Sequence, residues 1–148
     1  MDRIDWLDVT REKGSRALVQ PVLYSQARPV FARLVNRARL SLYIATYVLT
    51  DKKLYAHINR AHRRLPDVKM VVGATSPLRP EWARRAIIGH TTMHLKLIVV
   101  DDWLTYVGSH NITKAALGYN HEAGVLIQSR KFAKVYRKVV EGAWNAAV

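Results

Sequence analysis

The residues with chemistry to offer gather in one short stretch. His94 and Lys96 open the run His94-Leu-Lys-Leu-Ile-Val-Val-Asp101. In an extended chain side chains alternate, so the imidazole and the ammonium share a face about 7 Å apart along the backbone. Ile98 and Val100 continue that face, while Leu95, Leu97 and Val99 fill the other, the pattern of a central strand buried on both sides. A lysine in such a place is costly unless a cleft or an anion meets its charge. An imidazole beside an ammonium supplies what attack on phosphorus needs: a nucleophile and a cation for the oxygens. Taken alone, the pair suits an inert, solvated strand end at least as well.

Two further segments change that balance. Val107-Gly-Ser-His-Asn111 leaves one strand-like run and Asn120-His-Glu122 enters another. His94, Lys96, Asp101, Gly108, Ser109 and Asn111 together resemble the signature of the phospholipase D superfamily, which is H-x-K, four residues, D, then about six residues and G-S-x-N. Asn120 and Glu122 match the N-x-E stretch that follows in that family. H-x-K-x4-D alone arises by chance in about one chain in a hundred at average residue usage. With G-S-x-N at the right distance, chance is a poor explanation. The resemblance runs from residue 30 to 145 and takes in Tyr43-Ile-Ala-Thr-Tyr47, Thr50-Asp51 and Val68-Lys-Met-Val-Val72. The stretch between Val72 and His94 is short for the family, and the first twenty-odd residues are not covered.

The resemblance implies a metal-independent phosphodiesterase without a cofactor, in which His94 attacks phosphorus and forms a phosphohistidine. Only one copy of the motif is present, and single-copy members resemble small nucleases that pair two chains. A homodimer is therefore expected, with His94 of the partner subunit as the acid. Two imidazoles beside one phosphate favour a single shared extra proton, so identical residues can divide these roles. Lys96 and Asn111 are expected to neutralise the oxygens, with Ser109 assisting, and Glu122 to accept the other ring N–H of histidine. Asp101 belongs to the signature but lies about 23 Å from His94 along the strand, so its role and that of Gly108 are structural. His110, Arg84 and Arg85 are expected to touch substrate.

These groups need a frame. Phe31, Leu34, Val35 and Ala38 mark an amphipathic helix over residues 25–39, with Pro29 near its first turn. Residues 40–49 read as a strand buried on both faces, and Thr50 as the cap of a helix carrying Leu54, Ile58, Ala61 and Leu65 on one stripe. Further strands are expected over 68–72, 93–100, 104–107 and 122–127, with Asp101-Asp102 as a hairpin turn and a short helix opening at Pro80. The tail over 129–144 predicts a helix with Phe132, Tyr136, Val139 and Val140 against the core. Strands alternating with helices point to an α/β layered domain, and the resemblance implies a mixed central sheet flanked by helices on both faces. Residues 1–22 read as an arm or lead-in and residues 23–148 as the domain.

Composition bounds the partners. In 148 residues, Lys and Arg outnumber Asp and Glu by 24 to 11, a formal charge of +13. Such an excess attracts polyanions, nucleic acid first and an anionic membrane surface second. The absence of cysteine excludes disulfides, thiolate catalysis and cysteine zinc sites. No apolar run reaches the roughly 18 residues that span a bilayer, so stable membrane insertion is not expected. With no apolar signal at the N-terminus, a cytoplasmic location is. His90 and His94 stand about 13 Å apart in extended chain, too far to share a zinc ion. Ser109 lacks the G-x-S-x-G setting of a serine hydrolase.

The expectation that follows is a nuclease acting on DNA or RNA. Its rivals are a phospholipid phosphodiesterase of the phospholipase D or cardiolipin hydrolase type, and an inactive nucleic-acid-binding module that kept the fold.

Overall fold

Ser41–Thr46 is a run of apolar, aromatic and small hydroxyl residues whose six side chains are all buried, and it forms the middle of the sheet. The computed structural model describes residues 7–12, 15–89 and 92–148. Among these there are eight strands: β1 Leu7–Glu12, β2 Ser15–Leu23, β3 Ser41–Thr46, β4 Asp67–Val72, β5 Arg84–Arg85, β6 Lys96–Val100, β7 Leu104–Gly108 and β8 Ala123–Gln128. Their spatial order is β1-β2-β8-β7-β6-β3-β4-β5. β3, β4 and β5 are parallel, and every other neighbouring pair is antiparallel. The sheet is thus mixed, as the sequence predicts.

Four α-helices cover the described sheet: α1 Ala27–Arg37, α2 Lys52–Arg64, α3 Lys114–Gly118 and α4 Arg130–Asn145. Alternation along the strands divides the core in two. Leu42, Ile44, Ile98 and Val100 pack with Phe31, Leu34, Leu54 and Ile58 of α1 and α2. Tyr43, Ala45, Leu97 and Val99 pack with Ala133 and Val140 of α4. Helices therefore lie on both faces. Asp51, Thr113 and Ser129 cap α2, α3 and α4 by accepting a backbone N–H three residues on. Asp51, rather than Thr50, caps α2: one carboxylate oxygen accepts the Leu54 N–H at 2.9 Å and the other pairs with Arg28 at 2.8 Å.

Several expectations need correction. Where described, residues 1–22 are no arm: β1 and β2 extend the sheet, and β2 holds a six-residue register against β8 from Leu18↔Gln128 to Leu23↔Ala123. No helix opens at Pro80, where the Arg79 guanidinium occupies the carbonyls of Pro80, Glu81 and Ala83. Strand β6 begins at Lys96 instead of Met93, since its neighbours end at Thr46 and Gly108. On α4 the core stripe is Ala133, Tyr136 and Val140; Phe132 is 41% exposed and Val139 is also exposed. Helix α3 and the two-residue β5 are too short to have left a periodic signal.

Candidate active site

Antiparallel pairing gathers the polar motif at one edge of the sheet. Thr46, the last residue of β3, is opposite Lys96, the first of β6. Leu97 pairs with Val107, and Gly108 with Gly124, so β7 ends and β8 begins at that same edge. Ser109 follows β7 directly, and its N–H donates to the Ala123 carbonyl at 2.9 Å. Glu122 precedes β8.

His94 is exposed at this rim and Lys96, 8% exposed, lies beneath it. The Lys96 Nζ stands 2.7 Å from His94 Nδ1 and donates to the His94 carbonyl at 2.8 Å. An ammonium only donates, so the ring nitrogen that receives it is unprotonated. Burial lowers the Lys96 pKa, and the Glu122 carboxylate opposes that shift. Tyr47 completes the setting, its ring 4.7 Å from the His94 ring and 5.6 Å from the Lys96 Nζ. Sequence reasoning passed over Tyr47, although its place just after a central strand was a usable signal.

Asn111 is fixed from behind. Its Oδ1 accepts the Val48 N–H at 3.1 Å and lies 3.5 Å from the Thr46 hydroxyl. A backbone N–H cannot accept, so the oxygen must be the end facing Val48. The two N–H donors of the amide point the other way. The Thr46 hydroxyl donates to the Val48 carbonyl at 3.1 Å and accepts the Ile112 N–H, tying the β3 end to the asparagine loop. Ser109 donates to Glu122 and accepts the Ala123 N–H at 3.0 Å, while Asn120 donates to the other Glu122 oxygen at 3.3 Å. Glu122 therefore serves Ser109 and Asn120 within the chain, and the expected bond to the His94 ring is not made there.

Three residues expected at the substrate are committed elsewhere. His110 is 1% exposed, with its Nε2 donating to the Tyr24 carbonyl at 2.9 Å and its Nδ1 accepting from the Tyr106 hydroxyl at 2.5 Å. This holds Tyr24, a non-glycine residue in the left-handed region at φ 51°. Burial lowers the His110 pKa, which keeps the ring neutral. Arg84 stacks on Trp144 at 4.2 Å and donates to its carbonyl at 2.9 Å. Arg85 donates to the carbonyls of Gly73, Ala74 and Ser76, the closest at 2.8 Å. These arginines brace the chain near β5 because each satisfies backbone oxygens that would otherwise lack donors.

Asp101 and Gly108 are engaged in backbone and packing contacts. Asp101, at φ 54°, accepts the N–H groups of Arg39, Leu40 and Ser41 between 2.7 and 3.1 Å, fastening the β6–β7 turn to the link between α1 and β3. At Gly108 an added Cβ would stand 2.5 Å from both the Gly124 Cα and the Tyr106 hydroxyl. At Gly124 it would meet the Tyr106 ring at 2.5 Å. The facing glycines make the space that Tyr106 fills.

His90 lies outside the described residues. Among the described residues, no three His, Cys, Asp or Glu side chains gather as a metal-ligand set.

The family described as "Cardiolipin synthase, PLD-like domain" matches residues 31–144. No curated protein matches. Among solved structures the fold is similar to Nuc from Salmonella typhimurium, a phospholipase D family member, at 23% identity and a TM-score of 0.77 over 89% of this chain and 97% of that one. NucT from Helicobacter pylori matches at 16% identity and a TM-score of 0.74, over 88% and 98% of the two chains. TrmBL2, an archaeal chromatin protein with a novel mode of DNA binding, matches at 14% identity and 0.66, over 88% of this chain and 54% of its own.

Proposed function

The chain belongs to the PLD-like domain family, and on that footing we propose that it is a phosphodiesterase cutting DNA or RNA through a phosphohistidine, in a site shared by two chains. The observation that carries this reading is the His94–Lys96 pair: an exposed imidazole backed by a buried lysine 2.7 Å away. The charge of +13 and the DNA-binding relative favour nucleic acid as the substrate.

In the proposed reaction a neutral His94 nitrogen forms a bond to phosphorus, and the bond to one ester oxygen breaks. That oxygen takes a proton from His94 of the partner subunit. The same ring, now neutral, removes a proton from water, which attacks the phosphohistidine and frees His94. Lys96 and the outward N–H groups of Asn111 stabilise the equatorial oxygens as charge builds. Glu122 holds the Ser109 hydroxyl and strengthens the field around Lys96. No metal enters this scheme, because the histidines handle both protons and the cation is a side chain.

A second reading has its own observation. Ile87 and Ile88, the latter 81% exposed, are large apolar side chains open to solvent. Exposed apolar side chains suit acyl chains, and the family's description names a lipid enzyme, so a phospholipid phosphodiester is the rival substrate.

One assay divides the readings. Purified chain is incubated with labelled DNA, RNA and cardiolipin in excess EDTA, beside His94→Ala. Cleavage of nucleic acid that survives EDTA and is lost in the variant supports the proposal. Release of a lipid product alone supports the rival, and binding without cleavage supports an inactive module. Sedimentation under the same conditions should give a dimer; an active monomer would remove the shared site.

A further inference from the structure

At the other end of β6, four residues or about 13 Å from Lys96, a cleft opens between α1 and the β6–β7 turn. Its enclosed volume is about 100 Å³, room for a few methylene groups, and the rest of the cleft is a mouth open to solvent. Val30 and Leu34 of α1, Val100 of β6, Leu104 of β7 and Leu126 of β8 line it. Leu34, Val100 and Leu126 are each at most 4% exposed, so the cleft reaches the core itself. Trp103 forms one lip, its ring held from outside by the Arg130 guanidinium at 5.0 Å.

Two cations stand beside this apolar floor. Arg33 and Arg37 both line the cleft, one helical turn apart on α1. Like charges four residues apart repel, and neither arginine is ion-paired among the described residues. Asp101 is the only acid in the lining, and its oxygens are turned to the amides of residues 39–41. An anion between the guanidiniums would relieve the repulsion and receive planar, paired donors.

We propose that this cleft binds a single-tailed amphiphilic carboxylate, its tail on Leu34, Val100, Leu104 and Leu126 and its head on Arg33 and Arg37. The site is independent of the phosphodiesterase reading, since no residue of the His94 rim lines it.

The test is titration of the full chain with decanoate, with 1-decanol and acetate as controls, read by calorimetry and by tryptophan fluorescence. Decanoate should saturate at one per chain, and acetate should not bind at the same concentrations. Replacing both arginines by alanine should weaken decanoate at least tenfold and leave 1-decanol unchanged. Leu104→Trp, with an unaltered circular dichroism spectrum, should abolish binding of both. Failure of decanoate to saturate, equal affinity for 1-decanol, or indifference to loss of the arginines would each overturn the assignment.

Discussion

The amide oxygen of Asn111 accepts the backbone N–H of Val48 at 3.1 Å, and that single bond turns the amide nitrogen away from Val48. The loop after β7 is thereby tied to the end of β3. Asn111→Asp keeps an acceptor for Val48 but replaces the donors with a second anion. It should fold with a loss of no more than about 1 kcal/mol yet lose on the order of 10²–10³ in kcat. Asn111→Ala removes both functions and should also unfold earlier in urea. Unchanged turnover in the aspartate variant would deny the amide its role.

His94→Ala should separate chemistry from folding in the opposite way. The ring is exposed, so urea unfolding should move by less than about 0.5 kcal/mol. Phosphodiester cleavage should fall by at least about 10³-fold, because the proposed covalent bond is to this ring. Residual cleavage close to wild type would point to a different nucleophile.

Asp101→Ala is expected to cost stability without touching the chemistry. Three backbone N–H groups lose a charged acceptor, a loss of about 2–4 kcal/mol. Asp101→Asn, which tolerates the positive φ and keeps one oxygen, should recover part of it. Per folded molecule, kcat should stay within about twofold in both, well under the 1.4 kcal/mol that a tenfold change represents. A large drop in either would return Asp101 to the site.

The facing glycines make a packing prediction. Gly108→Ala or Gly124→Ala puts a methyl group 2.5 Å from backbone or from the Tyr106 ring, a destabilisation of about 2–4 kcal/mol. In Gly124→Ala the contacts met are ring atoms, so trimming Tyr106 to leucine alongside should lessen the loss. Denaturant midpoints for the two singles and the double report the coupling.

Buried His110 sets a pH dependence. Its folded pKa is lowered, chiefly by burial, below the usual value near 6.5, with the Tyr24 carbonyl and Glu122 acting the other way. Below pH 6.5 the unfolded chain binds the proton more readily, so folding stability is full above that point and falls as the pH drops towards the folded value. Unfolding free energy should be lower at pH 5 than at pH 7.5. His110→Gln should be less stable at pH 7.5 but show a flatter profile. Parallel profiles in the two proteins would contradict this origin.

Much of this was legible in the sequence, for reasons that can be named. His94, Lys96, Ser109, Asn111 and Glu122 fall at three strand ends, and the motif spacing keeps those ends at one edge. Two-sided apolar runs marked β3 and β6, since every residue of both strands is buried. The edge of the sheet was harder to read. β1 and β2 have no such run, and Pro21 inside β2 argued against a strand. Nor did residue type distinguish a groove arginine from Arg85, whose work is with the carbonyls of Gly73, Ala74 and Ser76. His110 stands within the Gly-Ser-His-Asn segment yet supports Tyr24 in its left-handed conformation, a relation spanning 86 positions that no local pattern encodes.

The direction of β6 has one more consequence. Strands that run parallel deliver their reactive residues at their ends, followed by loops that must also reach the next helix. Here β6 runs antiparallel to β3 and His94 lies upstream of it, so residues 92–95 stand ahead of the ladder that anchors Lys96. Substitutions at those positions leave the register of the sheet as it is, with the Asp101 turn at the far end serving as the fixed anchor.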